Sequence, residues 1–408
     1  MRVLIVNTLY PPADVGGAER SVAQLAEGLA GAGVATTVLT LAGGAGSVER
    51  AANGVVVHRL PLRNLYWPYD GRRRSALQRA VWHGLETANP LMDHMADRVV
   101  AQVRPDLIHL HLTTGFSLSV YRAARRRDLP LVQTLRDWSM MCARASMFRQ
   151  GRRCLRRCAA CVLLTAAKRA RSQAVEHVIG LSQPLLEAHR RSGYFRDSAA
   201  SIIGNASAPT RQRPRPPMSQ EPALTFGFIG RIEPEKGIET LLRATVHLAG
   251  DWRLRIAGRG DPAYVARLQA AFPDPRIVWL GQVAPGEFWP TADVLVAPAS
   301  WVEPFGRAVA EAVQHGRGVI ASRIGGLPDA SRGAGAAALI EPGDDAALAQ
   351  AMQAAIADPE RWRFAAPQRP AWTQAGVMAA HLDIYDQILA NRSSRILADR
   401  DQRYSAAR

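Results

Sequence analysis

"DVLVAPASWVEPFGRAVAEAVQHGRGVIAS", residues 293–322, decides the fold. "DVLVAPA" is a short apolar run closed by a proline turn, "GVIAS" is another, and a helical pattern lies between them. A strand, a helix and a second strand in this order make a parallel βαβ unit. Pro304 opens the helix where proline is best tolerated, because the first N–H groups have no intrahelical acceptor. Glu303 lies in the loop just before it, and Glu311 follows eight positions later, about two turns on. The spacing predicts two carboxylates on one side of a helix N-terminus. Free N–H groups near Phe305, Gly306 and Arg307 suit phosphate oxygens, and the carboxylates suit sugar hydroxyls. A helix start with well-placed glutamate would by itself explain only one of the two.

The same alternation extends in both directions. Upstream, "RVLIVN", "TTVLTL", "VVVHRL", "LIHLHL", "LVQTL", "HVIGLS" and "ASIIGN" read as strands separated by amphipathic segments such as "AERSVAQLAEGLAGAG". Around the opening stretch, "LTFGFIG", "WRLRIAG", "RIVWLG" and "AALIEP" repeat the pattern. Between the two sets lies "PTRQRPRPPMSQEP", residues 209–222, whose proline and polar content marks a linker. The expectation is an α/β protein of two doubly wound, Rossmann-like domains, residues 1–208 and 223–372. An amphipathic helix over 373–391 and a tail over 392–408 follow. Ligands of open parallel sheets bind at the C-terminal strand ends, here a cleft between the domains.

Two more stretches carry charge or close backbone approach to that cleft. "GFIGRIEPEKG" places Gly230 and Arg231 at a strand end and Lys236 at the next helix start. A guanidinium fork and an ammonium point charge there can converge on a diphosphate. Only two lysines occur in the chain, Lys168 and Lys236. "LRIAGRGD" adds Gly258 and Gly260, which allow a nucleotide near the backbone and equally serve a tight turn.

With these residues in hand, the chain resembles the family-4 retaining glycosyltransferases of the GT-B fold. The resemblance rests on the "GR…KG" pair, "IAGRG", "VLVAPASWVEPFGRAVAEA" and "GVIASRIGGLPD". In the first half it rests on "YPPADVGGAERSVAQLAEGLAGAG", "RPDLIHLHLT" and "IIGNAS". Together the motifs span most of residues 1–345 in the expected order. The resemblance implies a nucleotide-sugar donor, UDP- or GDP-linked, and retention at the anomeric carbon with no catalytic metal. It implies that Glu303 binds the donor sugar, Glu311 the ribose or nearby nucleotide, and Arg231 and Lys236 the leaving diphosphate. Gly16 and Gly17 would approach diphosphate or acceptor, although a glycine pair starting the next helix needs no ligand. His111 matches a histidine near the reacting centre, whereas His109, two residues back, reads as packing. Gly204-Asn205-Ala206 stands where the family more often has Pro-Asn-Gly, which leaves Asn205 and the turn residue Asp14 as secondary candidates. Asp329 stands where glutamate is commoner.

Charge and cysteines bound the remainder. The net charge is +16, and residues 1–208 carry 28 basic against 14 acidic residues while the rest carry 23 against 21. The excess on the first half points to an anionic partner, with arginine clusters at 72–74, 122–127 and among the cysteines. That assigns the first half to a glycan or lipid-diphosphate-linked acceptor, or to an anionic membrane face. A cytoplasmic protein, peripheral at the inner face of the plasma membrane, is expected, since no apolar run approaches the roughly 18 residues of a membrane span. A nucleic-acid partner is not expected, because the arginines lack interleaved aromatics for base stacking. All four cysteines, Cys142, Cys154, Cys158 and Cys161, fall in an insert at 137–165. Four thiolates suit a structural zinc site, and reduced thiols in a packed loop are the plain alternative. The C-x3-C-x2-C run also resembles the iron–sulfur motif of radical enzymes, which carry it at the start of a different architecture. A nucleotide-sugar epimerase of GT-B fold would share both domains but not the two spaced glutamates.

Overall fold

A computed structural model describes residues 1–13, 16–149, 151–206, 223–363 and 372–406, with side chains to 394. Asp14 and the linker at 209–222 lie outside the described residues. The first domain is an eight-stranded sheet. Its strands are β1 (Arg2–Val6), β2 (Ala35–Ala42), β3 (Ser47–Arg50), β4 (Val56–Pro61), β5 (Leu107–Leu110), β6 (Leu131–Leu135), β9 (His177–Gly180) and β10 (Ala199–Ile202). A two-stranded ribbon in the insert supplies β7 (Phe148–Arg149) and β8 (Arg152–Arg153). The spatial order is β10-β9-β6-β5-β1-β2-β4-β3. All neighbours are parallel except β3, which turns back antiparallel on β4. The sequence reading did not include β3; its residues are all exposed, so no core-facing alternation marks it.

The second domain is wholly parallel. It holds β11 (Leu224–Ile229), β12 (Trp252–Ala257), β13 (Ile277–Gly281), β14 (Val294–Ala297), β15 (Gly318–Ser322) and β16 (Ala337–Ile340), in the order β13-β12-β11-β14-β15-β16. Its central strands are buried along their length, as expected where helices cover both faces.

In each sheet the strand order reverses beside the first strand, between β1 and β5 and between β11 and β14. At such a point the two outgoing loops diverge and leave a crevice. The chain places its most distinctive loops there: Gly16–Gly17 after β1, His111 after β5, Gly230–Arg231 after β11 and Trp301–Glu303 after β14.

The two domains touch directly. One buried apolar cluster runs from Ile108, Leu110 and Trp138 in the first domain to Trp301, Phe305 and Val309 in the second. Ser182 Oγ donates to the Pro304 carbonyl at 2.7 Å, and Trp138 Nε1 donates to the Val302 carbonyl at 2.9 Å. Arg307 Nη1 donates to the Gly17 carbonyl at 2.8 Å. Every one of these bonds ends on the stretch 302–307 or its partner loop.

The C-terminal helix, Gln374–Ala406, crosses back to the first domain. Val377, Ile384, Tyr385 and Ile388 pack in one cluster with Val3, Ile5 and Val22. Arg392 pairs with Glu176 at 2.6 Å and with Asp128. The helix thus runs on through the region expected to be a tail.

Candidate active site

The loop after β14 is built around one carboxylate. Glu303 Oε2 accepts from Lys236 Nζ at 2.6 Å and from Trp301 Nε1 at 2.9 Å. The Lys236 ammonium also lies 4.9 Å from the centre of the Trp301 ring, close enough for a cation–π attraction. Lys236 reaches this position because Gly237 follows it with a φ of 74°. A Cβ there would meet the Pro298 carbonyl oxygen at 1.8 Å, so only glycine lets the two loops cross.

The "GGLPD" motif acts on the same loop. Gly326 N donates to the Glu303 carbonyl at 2.8 Å. At Gly325, φ is 55° and a Cβ would meet that carbonyl oxygen at 2.3 Å. The glycines let the loop 324–326 back the Glu303 main chain in contact. Asp329 caps the arrangement from the first domain's side, accepting from Gln183 N at 3.3 Å and pairing with Arg332 at 3.0 Å.

The helix itself spans Arg307–Gln314 with Gly306 at its N-cap, φ 95°. Phe305 is buried beneath it. Arg307 Nε holds Glu311 Oε1 at 2.7 Å, one turn on. Each carboxylate therefore comes with its own cation, Lys236 for Glu303 and Arg307 for Glu311. Arg231 is largely exposed and paired with Glu233 at 2.6 Å. Gly230 and Gly258 lie where β11 and β12 cross closely: a Cβ on Gly258 would sit 1.7 Å from the Gly230 carbonyl oxygen. Gly260 is similarly pressed on Ile232, with which it forms a parallel bridge. The packing of these turns alone requires Gly258 and Gly260, whereas a Cβ on Gly230 would meet nothing within 4 Å.

Across the cleft, Gly16 caps the helix Gly17–Gly31, and the Arg307 bond brings its first turn to the second domain. Beside it lies a buried polar group that the sequence reading passed over. Arg136, at the end of β6, donates through Nε to His111 Nδ1 at 2.9 Å and through Nη1 to Asn205 Oδ1 at 2.6 Å. Because Nδ1 accepts, the His111 proton resides on Nε2, a buried atom with no partner among the described residues. Burial, with the neighbouring His109 and Arg136, holds the imidazole well below its usual range, so it is a neutral donor. Burial lowers the Arg136 guanidinium to about 10, while the nearby Glu19 charge works in the opposite direction. The only sequence signal was an arginine directly ending a buried strand. Asn205 thus acts through Arg136. Gly204 is fixed by packing, since a Cβ would meet Phe305 at 2.5 Å and Trp372 at 2.8 Å.

His109 has both ring nitrogens occupied, by Tyr385 Oη at 2.6 Å and Thr134 Oγ1 at 2.7 Å. It belongs to the interface with the C-terminal helix.

The cysteine insert departs from expectation. All four cysteines are free thiols. The Cys142 and Cys161 sulfurs are 3.8 Å apart, but Cys142 is buried and Cys158 is exposed. Among the described residues no group of three or more histidine, cysteine or carboxylate side chains is placed to hold a metal ion. The expected four-thiolate zinc site therefore finds no support in the structure. Met140, Met141, Cys142 and Met147 are buried in the domain core. Arg157 donates to the Met141 and Cys161 carbonyls, and Lys168 to the Ser139 carbonyl at 3.1 Å. The arginine runs are also less free than their count suggests: Arg122 pairs with Asp93, and Arg126 and Arg127 with Asp97.

Two α/β sheets whose switch points meet at one cleft, with cations and carboxylates on the loops between them, form an architecture of GT-B type. Comparison with known proteins agrees. Residues 16–206 match the glycosyl transferase 4-like domain and residues 223–358 match the glycosyl transferases group 1; the chain belongs to this glycosyltransferase family. It is 28% identical over 332 residues to an uncharacterized 42.6 kDa protein in the cps region of Klebsiella pneumoniae, covering 81% of this chain and 88% of that one. It is 31% identical over 209 residues to the D-inositol 3-phosphate glycosyltransferase of Xylanimonas cellulosilytica, 48% of this chain and about half (49%) of that enzyme's length. Among solved structures, sucrose-phosphate synthase from Thermosynechococcus elongatus superposes with a TM-score of 0.72 at 21% identity, over 96% and 99% of the two chains. Anabaena HepE in complex with UDP and glucose superposes with a TM-score of 0.67 at 18% identity, over 95% and 100%. Among the described residues no helix is long and apolar enough to cross a membrane.

Proposed function

We propose that this glycosyltransferase moves a hexose-type sugar from a UDP- or GDP-linked donor to a glycan or lipid-diphosphate-linked acceptor. Transfer retains the anomeric configuration, needs no catalytic metal, and serves cell-surface polysaccharide or glycoconjugate assembly at the cytoplasmic membrane face. The observation that carries the reading is the Lys236–Glu303–Trp301 cluster, together with a His111 Nε2–H that has no partner among the described residues. As the bond from the anomeric carbon to the diphosphate oxygen breaks, negative charge grows on the diphosphate. Lys236, Arg231 and the two helix N-termini at Gly17 and Arg307 supply fixed positive potential for it. Glu303 accepts from hydroxyls of the donor sugar, Glu311 from the ribose, and His111 Nε2–H donates to a sugar oxygen. An acceptor hydroxyl then forms the new bond to the anomeric carbon, and its proton passes to the departing diphosphate oxygen. UDP and glucose in the superposable Anabaena structure support a uridine donor.

The test is a screen of UDP- and GDP-sugars for protection against thermal unfolding, followed by release of nucleoside diphosphate with and without EDTA. A bound donor at a hundredfold its Kd adds about 2.7 kcal/mol. No shift with any nucleotide sugar, or release that EDTA abolishes and added divalent cation restores, refutes the reading. Co-sedimentation with anionic vesicles, lost at high salt, checks the membrane placement.

A further inference from the structure

We propose that the space between the cysteine-bearing insert and the second domain is an acceptor subsite for a sugar carrying an oxyanion, phosphate or carboxylate, gripped by Arg79 and Arg144. The proposal rests on the donor reading above and names what the opposite wall of that site selects. The space has a volume of about 630 Å3, within the usual range for a small-molecule site. Arg79, Asp137, Arg144 and Phe148 line it from the first domain, and Arg231, Glu235 and Trp301 from the second. Trp301 is the same residue that donates to Glu303, so an occupant of this space lies next to the carboxylate assigned to the donor sugar.

Charge argues for the class of ligand. Several arginines of the first half's clusters are engaged: Arg74 with Asp70, Arg122 with Asp93, Arg126 and Arg127 with Asp97. Arg79 and Arg144 are exposed, and neither side chain has an ion-pair partner among the described residues. They approach one space from different segments, the helix Ala76–Leu85 and the turn before β7. Against the three guanidiniums stand two carboxylates. Burial pushes Asp137 up, toward its neutral form, and its Oδ1 already accepts from Ser139 N at 2.8 Å. A neutral glycan could use the carboxylates and the Trp301 and Phe148 rings but would leave both free arginines without a role. An oxyanion matches the guanidinium fork.

The insert gives the subsite its shape. Ala145 and Met147 take positive φ values of 55° and 51°, turning the chain so that Arg144 and Phe148 face the space while Met147 is buried. Trp138 ties this turn to the Val302 carbonyl. The insert thereby sets acceptor selectivity while leaving the donor residues untouched.

The test uses the full chain saturated with UDP and titrated by calorimetry with glucose 6-phosphate, glucuronic acid, a short-chain polyprenyl diphosphate and glucose. At least one anionic ligand is expected to bind tenfold or more tightly than glucose, and its identity distinguishes sugar phosphate, uronate and lipid diphosphate. The R79A/R144A double variant should weaken that ligand at least tenfold, and Arg144→Glu should abolish it. UDP affinity within twofold of the unaltered chain confirms folding. Equal affinity for glucose and all three anions at low salt, or undiminished anion binding by the double variant, overturns the subsite. If UDP itself does not bind, the donor reading fails; the titration run without nucleotide still decides the subsite.

Discussion

Replacing Lys236 with methionine separates catalysis from stability. The side chain keeps its length and its contact with the Trp301 ring but loses the ammonium 2.6 Å from Glu303. In the resting protein the two side chains are 20% and 17% exposed. Exposed ion pairs contribute about 0–1 kcal/mol, and losing one partner of a fully buried pair costs about 3–5 kcal/mol. Glu303 retains its bond from Trp301 Nε1 and residual access to water, which places the loss at about 1–2 kcal/mol. That corresponds to a fall in Tm of roughly 2–8 °C. On the proposed function the same ammonium faces a departing diphosphate in the transition state, where one fixed donor is worth about 10²–10³ in turnover, or ~2.7–4 kcal/mol. The assay is release of nucleoside diphosphate from the donor found in the nucleotide screen, measured well below the Tm of both proteins. The expected result is a hundredfold or greater fall in kcat with at most a small change in folded fraction. A kcat within tenfold of the unaltered chain would show that Lys236 serves only to hold Glu303, and the charge-stabilisation reasoning would be wrong.

Other consequences can be checked separately. Gly325→Ala should displace the Glu303 main chain, since its Cβ would lie 2.3 Å from that carbonyl oxygen at a φ of 55°; turnover should fall by about 10² while donor KM changes little, and an unchanged kcat would contradict it. Arg136→Met should remove the lock on the His111 tautomer, lowering kcat by roughly tenfold or more, whereas unchanged kinetics would make Arg136 a core residue only. His189 and His381 are buried and neutral, each lowered to about 4. The unfolded chain protonates both below about pH 6.5, so stability should be level above pH 7 and fall by up to about 1.4 kcal/mol per histidine per pH unit between 6.5 and 4. Denaturant midpoints that do not move over that interval would refute the burial argument. Among the thiols, the Cys161 backbone N–H and side chain lower Cys158, whereas burial pushes Cys161 up to about 12; alkylation at pH 7.5 followed by mass spectrometry should label Cys158 first, and earlier labelling of Cys161 would be inconsistent with it.

What the sequence determined by itself is the scaffold. Apolar runs such as "LVQTL" and "GVIAS" are strands wherever they were read, because period and turn chemistry act among near neighbours. The same locality made a helix after β14 legible, although it begins at Arg307 with Gly306 as its N-cap rather than at Pro304. Partner choice was not local. Arg126 and Arg127 looked like free positive charge until the packing of two helices brought Asp97 to them, and the cysteine spacing suggested a closed thiolate set where, among the described residues, no group of side chains is placed to hold a metal ion. Arg136, one residue past an apolar strand, became a site residue only when β5 and the Gly204–Ala206 segment placed His111 and Asn205 against it. Trp301 reaches Glu303 from two residues away, whereas Lys236 arrives at the same carboxylate from a different βα loop 67 residues earlier. Ion pairs and hydrogen bonds between distant segments follow from where the sheets bring those segments, and that information resides in the tertiary structure.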